Sequence, residues 1–360
     1  MILDVENIHT QFESQHETVR AVNGVSLSVD KGEVVGIVGE SGCGKSVTAR
    51  SIARLEGSGT ITRGSIRFGG VELTEADDAT LRDIRGSGVS MVFQDPETTL
   101  NPAFEIGEQV AESLRVHGDK RQRLLEYLHL PLVSPSWRDE RDRAVELMEE
   151  VGISNPEERA RMHPHEFSGG MRQRAVLAIA LASEPDLLIA DEPTTALDTT
   201  TQARVLDILR ELNRERGMGV LLISHDIGVV AELCDRVVVM YAGEVMERGA
   251  VEDVLTSPEH PYTEALLGCL TQTADPGERL ETVDGSVPEM TDEDRITGCP
   301  FAPRCAHATE ACTEDVPIRE ITGGRAETHE VACVTPASER QAESTKPDSG
   351  PETGVREETT

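Results

Sequence analysis

Val34-Val35-Gly36-Ile37-Val38 runs straight into Gly39-Glu40-Ser41-Gly42-Cys43-Gly44-Lys45-Ser46, and this junction decides the fold. A short, unbroken apolar run bounded by turn residues reads as a strand buried on both faces. The pattern G-x-x-x-x-G-K-S then turns the chain into a helix expected from about Lys45. Its glycines let successive backbone N–H groups face one concavity that fits phosphate oxygens, and the helix N-terminus adds partial positive charge. Lys45 is expected to reach the β- and γ-phosphates of a nucleoside triphosphate, and the Ser46 hydroxyl to ligate Mg²⁺. Gly39, Ser41, Gly42, Cys43 and Gly44 form the loop around the phosphates, Cys43 as a small residue without a redox role. A chance glycine-rich turn is the bland alternative, but a strand before the motif and Lys-Ser after it weigh against that.

Outward from this junction the chain alternates strands and helices, which argues for an α/β sheet. Ile2 to Ile8 and Val25 to Val29 read as antiparallel strands, with a long loop from Phe12 to Ala21. Ser65–Phe68 and Val89–Phe93 are further strands. Leu187–Ala190 and Val220–Ile223 have the short apolar runs of buried parallel strands. Val237–Tyr241 and Glu244–Glu247 flank Gly243 as a hairpin. Residues 105–182 are rich in Leu, Glu and Arg and read as a helical subdomain inserted between strands. An ATPase domain over 1–270 is expected, then a small cysteine-bearing domain over 271–335 and a disordered, acidic tail over 336–360.

Composition narrows the class. The formal net charge is −32, with 34 basic against 66 acidic residues, which disfavours binding to nucleic-acid phosphates. Lys31, Lys45, Lys120 and Lys346 are the only lysines, and an acid-rich, lysine-poor surface resembles proteins adapted to high internal salt. No apolar run approaches the ~20 residues of a membrane helix, and the first residues do not read as a secretory signal. A cytoplasmic protein is expected, reaching a membrane only through partners.

The acidic chemistry comes next. Leu187-Leu188-Ile189-Ala190-Asp191-Glu192 ends an apolar run in two carboxylates, delivered where ligands of open α/β sheets sit. Asp191 is expected to hold Mg²⁺ and Glu192 to polarise the attacking water. Taken alone the pair is an ordinary solvated strand end; the phosphate loop gives it meaning. Phe167-Ser168-Gly169-Gly170-Met171-Arg172-Gln173-Arg174, alone, is only a plausible helix N-cap.

Placed shortly before the acidic strand, that segment resembles the signature of ABC ATPases. In that family this helix N-terminus binds the γ-phosphate of ATP held by the opposite subunit, which implies donors from Ser168, Gly169 and Gly170. Phe167 and Met171 replace the familiar Leu and Gln, a variant similar to the peptide-importer branch. The resemblance further implies that Gln94 senses Mg²⁺ and water, that Asp198 in Ala196-Leu197-Asp198 crosses the dimer seam, and that His225 contacts the γ-phosphate. It offers Phe12 as an adenine-stacking residue, with a core or edge-strand aromatic as a nearly equal alternative. One loop and one signature per chain imply a dimer with an identical or homologous ATPase.

Three segments are similar to the ATPase subunits of oligopeptide, dipeptide and nickel importers: Gln94-Asp95-Pro96 through Gln109, His260-Pro261-Tyr262-Thr263, and Gly298-Cys299-Pro300-Phe301-Ala302-Pro303-Arg304-Cys305 followed by Cys312 and Cys333. This implies a peripheral protein on the cytoplasmic face of the membrane, two permease subunits, an external solute-binding protein, and peptide as cargo, with nickel or another small solute as the alternative. A soluble, non-transport ABC ATPase would need a long coiled coil or a second cassette, and the sequence has neither. The segment Asp119–Asp142, with the only tryptophan, Trp137, is longer than the family pattern. Cys299, Cys305, Cys312 and Cys333 suit a [4Fe–4S] cluster, with zinc or plain thiols as the alternatives; resemblance to cluster-bearing members favours iron–sulfur.

Overall fold

The computed structural model describes residues 1–14, 17–117, 137–195, 197–268, 286–288, 290–291, 296–321 and 328–344. Its first sheet is antiparallel. Strands β1 (Leu3–Glu13), β2 (Thr18–Val29), β4 (Gly59–Phe68) and β5 (Val71–Glu72) lie in the order β2-β1-β4-β5. The expected long loop after Phe12 is corrected here. β1 runs on to Glu13 and β2 starts at Thr18, because Phe12 pairs with Val19 and Glu13 with Thr18.

The second sheet carries the phosphate loop. It comprises β3 (Val34–Val38), β6 (Val89–Val92), β7 (Leu187–Asp191), β8 (Gly219–Ile223), β9 (Arg236–Tyr241), β10 (Glu244–Ala250), β11 (Arg319–Ile321) and β12 (His329–Val331). The order is β11-β12-β10-β9-β3-β8-β7-β6. β3 is parallel to both β8 and β9, and β7 to both β6 and β8. All five residues of β3, β7 and β8 are buried, as their unbroken apolar runs require. Alternate residues feed two cores. Val34, Val38, Leu188, Ala190, Val220 and Leu222 face the core shared with the helices, including Ile106, Val110, Leu147 and Val176. Val35, Ile37, Leu187, Ile189, Leu221 and Ile223 face the core shared with the antiparallel sheet, including Leu3, Ile8 and Ile66.

The helical region expected over 105–182 contains helices Ile106–His117, Trp137–Glu150, Pro156–Arg159 and Gly169–Leu181. Most of the long segment at 119–142 lies outside the described residues; from Trp137 it belongs to the second of these helices. No described helix is long and apolar enough to cross a membrane.

The C-terminal region is welded to the ATPase sheet. β12 pairs antiparallel with β10, Glu247 opposite Val331, and β11 adds outside β12. The Glu247 carboxylate is fully buried, accepts the Glu259 and His260 N–H groups at 2.8 and 2.9 Å, and lies 2.7 Å from His329 Nε2. The tail expected to be disordered from 336 is corrected in part: Ala337–Ser344 is a helix. Glu259 accepts from the Ser338 N–H and hydroxyl, and Arg340 pairs with Glu264, so local contacts with the ATPase domain offset the ordering entropy. Residues 271–280, at the start of the expected cysteine-bearing domain, and residues 345–360 of the expected tail lie outside the described residues.

Candidate functional site

The phosphate loop leaves β3 and enters helix Lys45–Ile52 through left-handed glycines. Gly44 has φ 99°, and a Cβ there would stand 2.2 Å from the Ala21 carbonyl oxygen. At Gly39 a Cβ would stand 2.1 Å from the Met240 carbonyl oxygen. Both positions therefore exclude any other residue. The loop wraps the Lys45 ammonium, which donates to the Gly39 and Glu40 carbonyls at 2.8 and 2.9 Å. Cys43 is buried under the loop, and burial pushes its thiol up.

The carboxylates arrive as expected. Ser46 Oγ donates to Asp191 Oδ1 at 2.9 Å, joining the loop helix to the end of β7. Asp191 Oδ2 is buried without a hydrogen-bond partner among the described residues. A buried, half-satisfied carboxylate costs free energy unless a cation or water completes it. Burial pushes the Asp191 carboxyl up, against the Ser46 hydrogen bond and the charge of Arg50. A hydroxyl beside an uncompensated carboxylate oxygen is the donor set a hard, oxygen-loving ion such as Mg²⁺ takes.

Glu192 follows in a left-handed conformation, φ 50°, which is unfavourable for a residue with a Cβ. The strain aims its side chain at three donors. Gln94 Nε2 and Thr195 Oγ1 each donate to Oε2 at 2.8 Å, and His225 Nδ1 lies 3.3 Å from the same oxygen. No hydrogen bond to Oε1 occurs among the described residues. Burial alone would raise this carboxyl, but Thr195, His225 and Gln94 together hold it below the usual carboxylate range. One oxygen is thus fixed and the other left for a water proton. Thr195 is the member of this group that sequence reasoning missed; its place three residues after Glu192 is the only local signal.

Ser168 caps helix Gly169–Leu181, its hydroxyl accepting from the Met171 N–H at 3.3 Å. Asp198 caps helix Thr199–Arg216 through Thr201. The two caps are neighbours, since a Cβ on Gly170 would meet Thr201 Cγ2 at 2.4 Å. Neither Ser168 nor Asp198 bonds to the Ser46–Asp191–Glu192 group among the described residues. They form a second, exposed surface of the chain. The Phe12 ring packs over Gly59, where a Cβ would come within 2.9 Å of it, so the strand contact is its observed role.

Cys299, Cys305, Cys312 and Cys333 line one small cavity with His260 and His307. All four are free thiols. Burial pushes Cys299 up to about 12 and Cys333 up to about 11. No three His, Cys, Asp or Glu groups among the described residues converge tightly enough for a single metal ion.

Comparison with known proteins places these features. Residues 22–195 match the family model described as ABC transporter, and residues 246–312 the one described as oligopeptide/dipeptide transporter, C-terminal region. A Brucella abortus (strain 2308) chain named as a peptide import ATP-binding protein is 47% identical over 342 residues, covering 90% of this chain and 96% of its own. The dipeptide transport ATP-binding protein DppD of Bacillus subtilis (strain 168) is 43% identical over 334 residues, covering 92% and 94%. Among solved structures, the ATP-binding cassette MJ0796, a dimer in a post-hydrolysis state bound to ADP and Pi, aligns with a TM-score of 0.61 at 28% identity. The alignment covers 69% of this chain and 99% of that one.

Proposed function

The chain belongs to the ABC transporter ATP-binding family, in its oligopeptide/dipeptide branch, and from that premise we propose that it hydrolyses ATP to drive import of short peptides. The observation that carries the reading is the convergence of Lys45, Ser46, Asp191 and a thrice-oriented Glu192 at one end of the parallel sheet. The chemistry is phosphoryl transfer to water, which needs positioning and charge neutralisation more than covalent help. Lys45 and the loop N–H groups take the phosphates. Ser46 and Asp191 hold Mg²⁺, which when bound neutralises phosphate charge. Glu192 Oε1 accepts a proton from the attacking water while Oε2 stays locked by Gln94, Thr195 and His225.

The exposed caps at Ser168 and Asp198 serve the ATP of a second, identical or homologous ATPase subunit, Gly169 and Gly170 adding N–H donors. The dimeric cassette MJ0796 supports this arrangement. Phe12, on β1, remains the candidate for stacking on the adenine in this reading. Two permease subunits and an external solute-binding protein complete the importer, with this chain peripheral to the membrane on the cytoplasmic face. The domain boundaries near 270 and 335 follow the same reading.

Vesicles carrying the chain, its permeases and its binding protein should take up a labelled dipeptide only when ATP is supplied. Uptake of Ni²⁺ instead, with no peptide transported, would overturn the cargo and leave the ATPase intact.

The four thiols, in this proposal, hold a [4Fe–4S] cluster; their place around one cavity is what supports it. Anaerobically purified chain should be brown and hold about four irons, and Cys305→Ser should bleach it while ATP still binds. One zinc and no iron, from iron-replete anaerobic growth, would refute the cluster.

A further inference from the structure

Glu40, second residue of the phosphate loop, is gripped from far along the chain. Arg304 Nη1 lies 3.1 Å from each Glu40 carboxylate oxygen and 3.0 Å from the Tyr241 hydroxyl, to which it donates. The Arg304 side chain is 7% exposed. The Glu40 N–H donates to Tyr262 Oη at 2.9 Å, and the Glu40 carbonyl accepts from Lys45. Tyr241, Tyr262 and Phe301 pack with ring centroids 4.8 to 5.4 Å apart, and the Arg304 guanidinium lies 5.6 Å from the Tyr241 centroid. Every polar group of Glu40 is therefore committed: carboxylate to Arg304, N–H to Tyr262, carbonyl to Lys45.

We propose that Arg304, helped by Tyr262, is a positioning residue for ATP, acting through Glu40 on the phosphate loop. Two physical effects follow. The ion pair neutralises a carboxylate that would otherwise stand unscreened beside a polyanionic nucleotide. The clamp also keeps the loop in its binding-competent shape, so a smaller competent fraction would weaken apparent affinity in proportion. A segment outside the ATPase domain thus completes the ATP site within one subunit.

The inference rests on the reading of Gly39–Ser46 as the ATP site, and one experiment separates the two. A fluorescent ATP analogue is titrated into the full-length chain, and nucleotide-free melting temperatures report folding. Lys45→Ala should abolish binding; if it binds like wild type, the site reading itself fails. Arg304→Ala should raise Kd about tenfold, the usual scale for a charge-assisted pair. In ATPase assays with the permeases, KM for ATP should rise by a similar factor with kcat little changed. Adding Glu40→Gln should recover most of the loss, because the carboxylate left unpaired by Arg304→Ala is gone. Should Arg304→Ala not fold, Arg304→Lys, which keeps the charge but loses the planar guanidinium that reaches Glu40 and Tyr241 together, should show a smaller rise of about threefold. A Kd within twofold of wild type in a folded Arg304 variant, or effects of Glu40 and Arg304 substitutions that simply multiply, would overturn the proposal.

Discussion

Replacing Glu192 by Gln should stop turnover without stopping binding, and the hydrogen bonds say why. Gln94, Thr195 and His225 all aim donors at Oε2. A glutamine at 192 must turn its carbonyl oxygen toward those donors, which puts its NH₂ where Oε1 was. That position must accept a proton from water; the substitution gives it a donor instead. The loss is therefore a reversal of polarity and not only of charge. Removing a positioned base costs roughly 10²- to 10⁴-fold in rate, or about 3–5 kcal/mol of barrier. Lys45, Ser46 and Asp191 are untouched, so ATP affinity should stay within about twofold of wild type. Single-turnover hydrolysis measures the first quantity, and size-exclusion chromatography with ATP measures dimers that accumulate unhydrolysed. A hydrolysis rate within about threefold of wild type, with binding intact, would refute the role of Glu192.

Gly44→Ala should abolish nucleotide binding and cost about 2 kcal/mol or more in thermal stability, because φ 99° and the Ala21 carbonyl at 2.2 Å both exclude a Cβ; a calorimetric titration matching wild type would contradict the loop geometry. His329 sits against Glu247, and although burial alone would lower it, that hydrogen bond and charge raise it above its ordinary value. A raised histidine contributes stability that is complete below the unfolded value and is lost as pH rises through the folded one. The C-terminal strand pair should therefore exchange amide hydrogens faster as pH climbs above about 6.5, after correction for intrinsic exchange, and His329→Gln should flatten that slope; a slope unchanged in the variant would count against the pair. The net charge of −32 should lower the melting temperature as salt is withdrawn, through less screened self-repulsion; a melting temperature flat up to molar salt would disprove that.

Local chemistry is what the sequence by itself determined. Gly39 to Ser46, Asp191-Glu192, Gln94 and His225 each sit at a strand end whose apolar run is contiguous in the chain, so spacing alone announces the strand, the turn and the ligand. Burial of every residue of β3, β7 and β8 follows from the same runs. Ser168 was legible as a helix cap from Ser-Gly-Gly before a helical run, whereas the Asp198 cap came only from the structure. Only the tertiary structure decided which distant residues meet them. Arg304 and Glu40 are 264 positions apart, and no periodicity links them. Their pairing depends on the docking of the C-terminal region, whose strand β12 pairs with β10 through only Val331 and Glu330, too short a run for pattern to reveal. The helix Ala337–Ser344 was hidden likewise: its residues are polar, and its order comes from Glu259 and Glu264, some 76 to 79 positions earlier. Side-chain hydrogen bonds between distant segments carry no signal in hydrophobic spacing, because any exposed Glu or Arg looks the same until the fold supplies its partner.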